Sequence, residues 1–174
     1  NTKEQIEFRS SFLPAEWYQQ SGVQLTWPHV GTDWNYMLSE VEECFVEITR
    51  EIAKRELVFI VTPDPESVKR HFTDDLILKN LRFFACDTND TWARDHGAIS
   101  LYENGNITLL DFTFNGWGLK FAADKDNLIT RKAFENNQLK VRYENRLGFV
   151  LEGGSIESDG MGPVIPTSTC LLFP

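Results

Sequence analysis

The run Leu57-Val-Phe-Ile-Val-Thr62 constrains this chain more than any other stretch, because six nearly apolar residues suit a strand buried on both faces. A strand of that kind needs helices above and below its sheet, which points to a mixed α/β protein. The preceding segment supplies one. From Trp34 to Lys54, Trp34, Met37, Leu38, Val41, Phe45, Ile48 and Ile52 recur at the steps of an amphipathic helix. Thr32 or Asp33 is placed to cap its first turn, Glu40, Glu42, Glu43 and Glu47 fall on the wet side, and Lys54 and Arg55 complement the negative end of its dipole. Cys44, inside this pattern, reads as a small buried apolar side chain. Asp64-Pro65 predicts the cap and first turn of a short helix reaching about Phe72, and Leu81 to Cys86 predicts the next strand. Val23 to Trp27, which alternates and stops at Pro28, predicts another strand ahead of the helix.

Beyond residue 96 the pattern changes. Ala98 to Tyr102 and Ile107 to Phe112 flank an Asn-Gly pair, a strong hairpin signal. Asn115 to Lys140 is irregular apart from a helix expected around Leu128 to Glu135, and two β-rich runs surround Gly153-Gly154 and Gly160-Met-Gly162. The 174 residues fit one domain, and a chain of this length buries about 70% of its unfolded surface without metals or disulfides. A net charge of −9 with no basic cluster argues against nucleic acid and suits a cationic ligand. No apolar run nears the roughly 18 residues of a membrane span. Asn1 to Ser10 carries no leader pattern, and Cys44, Cys86 and Cys170 form no CxxC, so a soluble protein of a reducing, cytoplasmic compartment is expected.

The densest chemistry is Asp87-Thr-Asn-Asp-Thr-Trp-Ala-Arg-Asp-His-Gly97, where a buried strand gives way to a loop, the usual place for function in α/β folds. The plainer reading is a solvated loop in which Arg94 pairs with Asp90 or Asp87. Leu151-Glu-Gly-Gly-Ser-Ile156 is the second candidate, its glycines permitting close backbone approach. The plainer alternative there is a strand end with a solvent-facing Glu152.

Six words in order, Pro14-Ala-Glu-Trp17, Thr26-Trp-Pro-His29, Thr32-Asp-Trp34, Asp90 to Gly97, Asp111-Phe-Thr-Phe-Asn-Gly-Trp-Gly118 and Leu151 to Ile156, resemble the bacterial agmatine deiminase and peptidyl-arginine deiminase family from about Phe12 to Leu172. The resemblance implies a pentein-type α/β propeller of repeated strand-helix modules. It also implies hydrolysis of a guanidinium group in agmatine or peptidyl arginine without a cofactor or metal. A planar, permanently charged guanidinium takes carboxylates as its natural bidentate partners. The family's guanidinium-binding acids map onto Asp95 and Glu152, and Trp92 maps onto the pocket wall. Trp117 and Asp90 are weaker substrate-binding candidates that brace the loop.

Two parts of the family pattern are not found. No His-x-Asp follows Glu152, and no cysteine stands in a late glycine-rich turn. Cys170 lies in a segment expected as a strand, Cys86 adjoins acids, and His96 reads as a structural hydrogen-bonding residue. Leu119 replaces a glycine of the family, and Pro163 and Pro166 predict an edge strand or bulge. Residues 1–174 are therefore expected to form a single incomplete deiminase domain, inactive alone, that self-associates through an open edge. A non-catalytic module that only holds guanidinium is the alternative.

Overall fold

The computed structural model describes residues 11–172; Asn1 to Ser10, where no leader pattern is read, and Phe173 to Pro174 lie outside the described residues. After a two-residue strand, β1 (Ser11–Phe12), the chain builds a parallel sheet from β2 (Gly22–Thr26), β3 (Leu57–Thr62) and β4 (Leu81–Ala85), with β3 in the middle. α1 (Leu38–Ala53) connects the first pair, and α2 (Pro65–Lys69) and α3 (Asp75–Leu78) connect the second. Strand β3 is apolar up to its last residue, Thr62, because both its faces are covered. Val58 and Ile60 pack with Trp27, Val46 and Phe72, while Phe59 and Val61 pack with Phe84, Ile129 and Ala133 on the other side. Asp64 caps α2 as expected, accepting from the Ser67 N–H at 3.1 Å.

The long helix differs from its expected form in three ways. Its first turn, Asp33–Met37, is a 3-10 helix, and neither Thr32 nor Asp33 caps it. The Thr32 hydroxyl instead donates to the His29 carbonyl at 2.8 Å. The stripe that meets the sheet runs through Val46, Thr49 and Ala53, which leaves Ile48 partly in water and Cys44 exposed on the far side, not buried. Glu42 is drawn off the wet face because the buried Trp27 indole needs an acceptor, and its Oε1 accepts the Trp27 indole N–H at 3.3 Å.

Past a single turn α4 (Ala93–His96), the second sheet has the order β1-β5-β6-β7, from β5 (Ile99–Glu103), β6 (Asn106–Thr113) and β7 (Arg142–Val150). The hairpin turn is Asn104 and Gly105, at φ of +49° and +77°, the paired left-handed geometry that Asn-Gly favours. Between β6 and β7 lie the short turn α5 (Gly116–Leu119) and α6 (Ile129–Glu135), which covers the second face of the parallel sheet. Strand β7 is rich in charge and lacks alternation, so it does not read as a strand. Tertiary bonds hold it, among them Tyr143 Oη donating to buried Asp111 at 2.8 Å and Thr113 Oγ1 donating to the Leu147 carbonyl at 2.6 Å.

The last elements are β8 (Ile156–Ser158), β9 (Val164–Pro166) and α7 (Ser168–Leu172). Among the described residues β9 pairs only with β8, so Pro166 sits on an edge strand and Pro163 immediately precedes it. Cys170 lies on a helix, not on the expected strand, because Pro166 ends β9 and the Thr167 carbonyl accepts the Leu171 N–H at 3.1 Å. Among the described residues the three sheets stay separate and none closes into a ring. Phe149, Met161, Ile165 and Leu172 are exposed near this end. No helix among the described residues is long and apolar enough to cross a membrane.

Candidate active site

The loop after β4 is pinned before it reaches Asp95. Asn89 is the clamp: its N–H donates to Asp126 Oδ1 at 2.7 Å, its amide donates to Asp124 at 3.0 Å, and its Oδ1 accepts the Lys125 N–H at 2.7 Å. Asp126 is buried, and that burial pushes its carboxyl up to about 6. His29 Nε2 bonds the Thr88 hydroxyl at 2.9 Å from the other side. Asp90 turns back to accept the Thr91 N–H at 2.8 Å.

Arg94 does not pair with Asp90 or Asp87. It joins the two candidate segments instead, its Nε donating to the Gly153 carbonyl at 3.1 Å while Nη2 pairs with Glu16 at 2.6 Å. The glycine pair makes this approach possible. A Cβ on Gly153 would strike the Arg94 carbonyl oxygen, and a Cβ on Gly154 would strike Asp95 Oδ1. Close approach, rather than a left-handed φ, is what these two positions require.

The result is a pair of carboxylates from distant parts of the chain. Asp95 is half-buried and receives the Gly154 N–H; burial raises its carboxyl above the ordinary range, with Arg94 pulling the other way. Glu152 is 6% exposed, not solvent-facing. Burial raises it first, and repulsion from Asp95 adds to the rise. The Cys170 thiol donates to Glu152 Oε2 at 3.7 Å, and the Trp117 backbone N–H also favours its charged form. Neither acid is in an ion pair among the described residues.

Aromatic rings wall the approach. Trp92 is 45% exposed and meets Trp117 edge-on at 6.2 Å and Trp34 at 6.0 Å. Trp117 owes its position to α5, whose four residues all lie at positive φ between +56° and +79°. This left-handed turn aims the Trp117 N–H at Glu152, and strained backbone of this kind collects at functional sites. Leu119, at φ of +63° and 79% exposed, bears that strain without burial to offset it. Leu119→Gly is therefore expected to stabilise the fold by about 0.5–1 kcal/mol. A thermal melt checks this, and a lower Tm would contradict it.

His96 lies behind the site, 4% exposed, with Nε2 against the Thr26 hydroxyl at 3.3 Å and Nδ1 unpartnered among the described residues. Burial lowers its pKa to about 4, so it is a neutral interior side chain at pH 7. Cys86 is buried and its thiol is pushed up, chiefly by that burial. The sequence brought Asp95, Glu152, Trp92, Trp117 and Asp90 into view, and the structure gathers them. Cys170 beside Glu152, Glu16 on Arg94 and the Trp117 backbone N–H went unread, because each depends on a fold-level meeting that no local pattern encodes.

This mixed α/β chain shares its fold with agmatine and peptidyl-arginine deiminases of known structure. The profile of Porphyromonas-type peptidyl-arginine deiminases matches residues 12–174, and the chain belongs to that family. The agmatine deiminase of Ectopseudomonas mendocina is 33% identical over 168 residues, 92% of this chain and 44% of that protein. A substrate-bound cysteine-to-serine variant of C. jejuni agmatine deiminase is 39% identical with a TM-score of 0.81, covering 93% of this chain and 47% of the other. A Porphyromonas gingivalis structure assigned as an arginine deiminase is 48% identical with a TM-score of 0.83, covering 92% and 48%. The chain thus spans about half the length of the relatives it matches.

Proposed function

We propose that this chain is the guanidinium-binding half of a deiminase that acts on agmatine, giving N-carbamoylputrescine and ammonia, or on peptidyl arginine, giving citrulline. The observation that carries the reading is the pair Asp95 and Glu152, both raised by burial and neither in an ion pair among the described residues, although Arg94 and Lys120 act on them from nearby. A guanidinium seated there offers two planar N–H edges to two carboxylates, which fixes its central carbon for attack. Trp92 supplies an aromatic face, with Trp117 and Asp90 holding it in place. In the chemistry that the family resemblance implies, a thiolate forms a C–S bond to that carbon, ammonia leaves with a proton, and water releases the ureido product. That thiol is assigned to none of Cys44, Cys86 and Cys170. The first is exposed on the outer side of α1, the second is buried with a raised pKa, and the third is engaged by Glu152.

The propeller of repeated modules, a cytoplasmic setting and self-association through the exposed apolar residues of the 149–172 segment belong to the same proposal. The cysteine placements also favour a second reading, a module that holds guanidinium without hydrolysing it. An assay of the purified chain with agmatine, scoring carbamoylputrescine and ammonia, tests the proposal. No turnover is expected. Turnover lost in Glu152→Gln would place the nucleophile within these residues and overturn the assignment. Activity that emerges in a longer version of the chain marks the deiminase, and its continued absence marks the binding module.

A further inference from the structure

Arg94 carries a guanidinium of its own beside the two acids that are proposed to receive one. A Cβ on Gly154 would strike Asp95 Oδ1 and come within 3.9 Å of Arg94 Cγ, so the arm of Arg94 starts within its own length of that carboxylate. Its charge already pulls against the rise that burial gives Asp95. Its head is the same planar fork that an alkylguanidine ligand presents. A guanidinium receptor next to an arginine needs that arginine kept out, because a tethered group competes at high effective concentration.

Other partners hold the Arg94 head. Nε donates to the Gly153 carbonyl at 3.1 Å, while Nη2 reaches the Ile156 carbonyl at 3.5 Å and pairs with Glu16 Oε1 at 2.6 Å. Two neutral carbonyls are a weaker match for this cation than a nearby carboxylate, and Glu16 supplies the anion they lack. The segment that carries Glu16 is fixed. Ala15 is buried and its carbonyl accepts the Tyr18 N–H at 2.9 Å; Ser158 Oγ, on β8, donates to the Leu13 carbonyl at 3.0 Å. A Cβ on Gly160 would come within 3.1 Å of the Ala15 nitrogen, so the two segments touch through backbone. The ion pair itself is wet, with the Arg94 and Glu16 side chains 56% and 58% exposed. A pair so exposed adds little stability, which leaves the direction it gives Arg94 as its main effect.

We propose that Glu16 is a positioning residue acting through Arg94: it holds the Arg94 guanidinium off Asp95 and so leaves the two acids open to a guanidinium from outside. This rests on the guanidinium reading of Asp95 and Glu152. Without the Glu16 charge, Arg94 turns onto Asp95 and fills the site from within. The chain then carries its own competitive inhibitor.

Calorimetric titration with agmatine of the unmodified 174-residue chain, Glu16→Gln, Arg94→Met and the double variant tests this. Glu16→Gln is expected to weaken binding about tenfold, the scale of one charge-assisted contact in competition, with little change in Tm. Adding Arg94→Met is expected to recover at least about threefold of that loss, because the tethered competitor is gone. The double variant should then match Arg94→Met, which alone reports the cost of losing the Gly153 and Ile156 bonds. A double variant that binds no more tightly than Glu16→Gln would overturn the proposal, by showing Glu16 to be a strut. Unchanged affinity in Glu16→Gln would overturn it as well and leave the guanidinium site standing. Failure of the unmodified chain to bind agmatine would remove the guanidinium reading, and the role of Glu16 with it. Should Arg94→Met not fold, carbon-13 NMR of the Asp95 carboxyl in Glu16→Gln decides. The charged groups acting on Asp95 are Arg94 and Glu152, so capture of Arg94 makes it titrate at lower pH than in the unmodified chain. An unchanged or higher titration would overturn the proposal.

Discussion

Asp95→Asn and Glu152→Gln are each expected to weaken agmatine binding about 10- to 100-fold, the usual cost of removing one hydrogen-bonded partner of a charged group. Neither is expected to lower thermal stability. Burial disfavours both carboxylates, and Glu152 is disfavoured further by Asp95, so the neutral amides relieve a cost. Asp75→Asn, in the first turn of α3, is the control that leaves binding alone. The pH dependence has two opposite signs. Because both folded carboxyls titrate above their ordinary values, agmatine affinity falls as pH drops through those raised values and the acids lose charge. Over the same window the folded chain binds more protons than the unfolded one, so these groups add stability as pH falls and lose it as pH rises. The double variant removes that contribution while His96 is left to titrate as before. Calorimetry and melts at several pH values measure both effects; unchanged affinity in either variant would contradict the site.

Gly153→Ala and Gly154→Ala are expected to part company although they are neighbours. The new methyl on Gly153 meets the backbone oxygen of Arg94, which cannot yield without moving α4. About 2–3 kcal/mol of stability should be lost, roughly 5–10 °C in Tm. On Gly154 the methyl meets the end of the Asp95 side chain, which can swing aside. Stability should change little while agmatine binding collapses, because the displaced carboxylate no longer faces Glu152. Similar Tm losses in both variants, with similar binding, would show that the glycine pair merely turns the chain.

What was legible in the sequence is what short stretches decide for themselves. The β3 run showed itself through the apolar residues on both its faces, Asn104-Gly105 through its turn chemistry, and Asp64 through its cap. Cys44 and Ile48 misled because periodicity gives a stripe but not its rotation, and the sheet chose Val46, Thr49 and Ala53. β7 escaped notice because its order comes from β6, Asp111 and Thr113 rather than from its own pattern. The site follows the same division. Asp95 and Glu152 stood out by their motifs, whereas the Arg94 bridge, the Cys170 contact and the left-handed turn under Trp117 arise only when separate segments meet. Arg94 shows why composition cannot replace geometry. It has acids on either side in sequence, yet it reaches Glu16 and the Gly153 carbonyl.

The most direct test of the central claim is an amide correlation spectrum of the nitrogen-15 labelled chain, titrated with agmatine. The Gly154 and Trp117 amides, which face Asp95 and Glu152, and the Trp92 indole should shift together and saturate at one ligand concentration. Shifts confined to other parts of the chain, or none at millimolar agmatine, would contradict a guanidinium site built from Asp95 and Glu152.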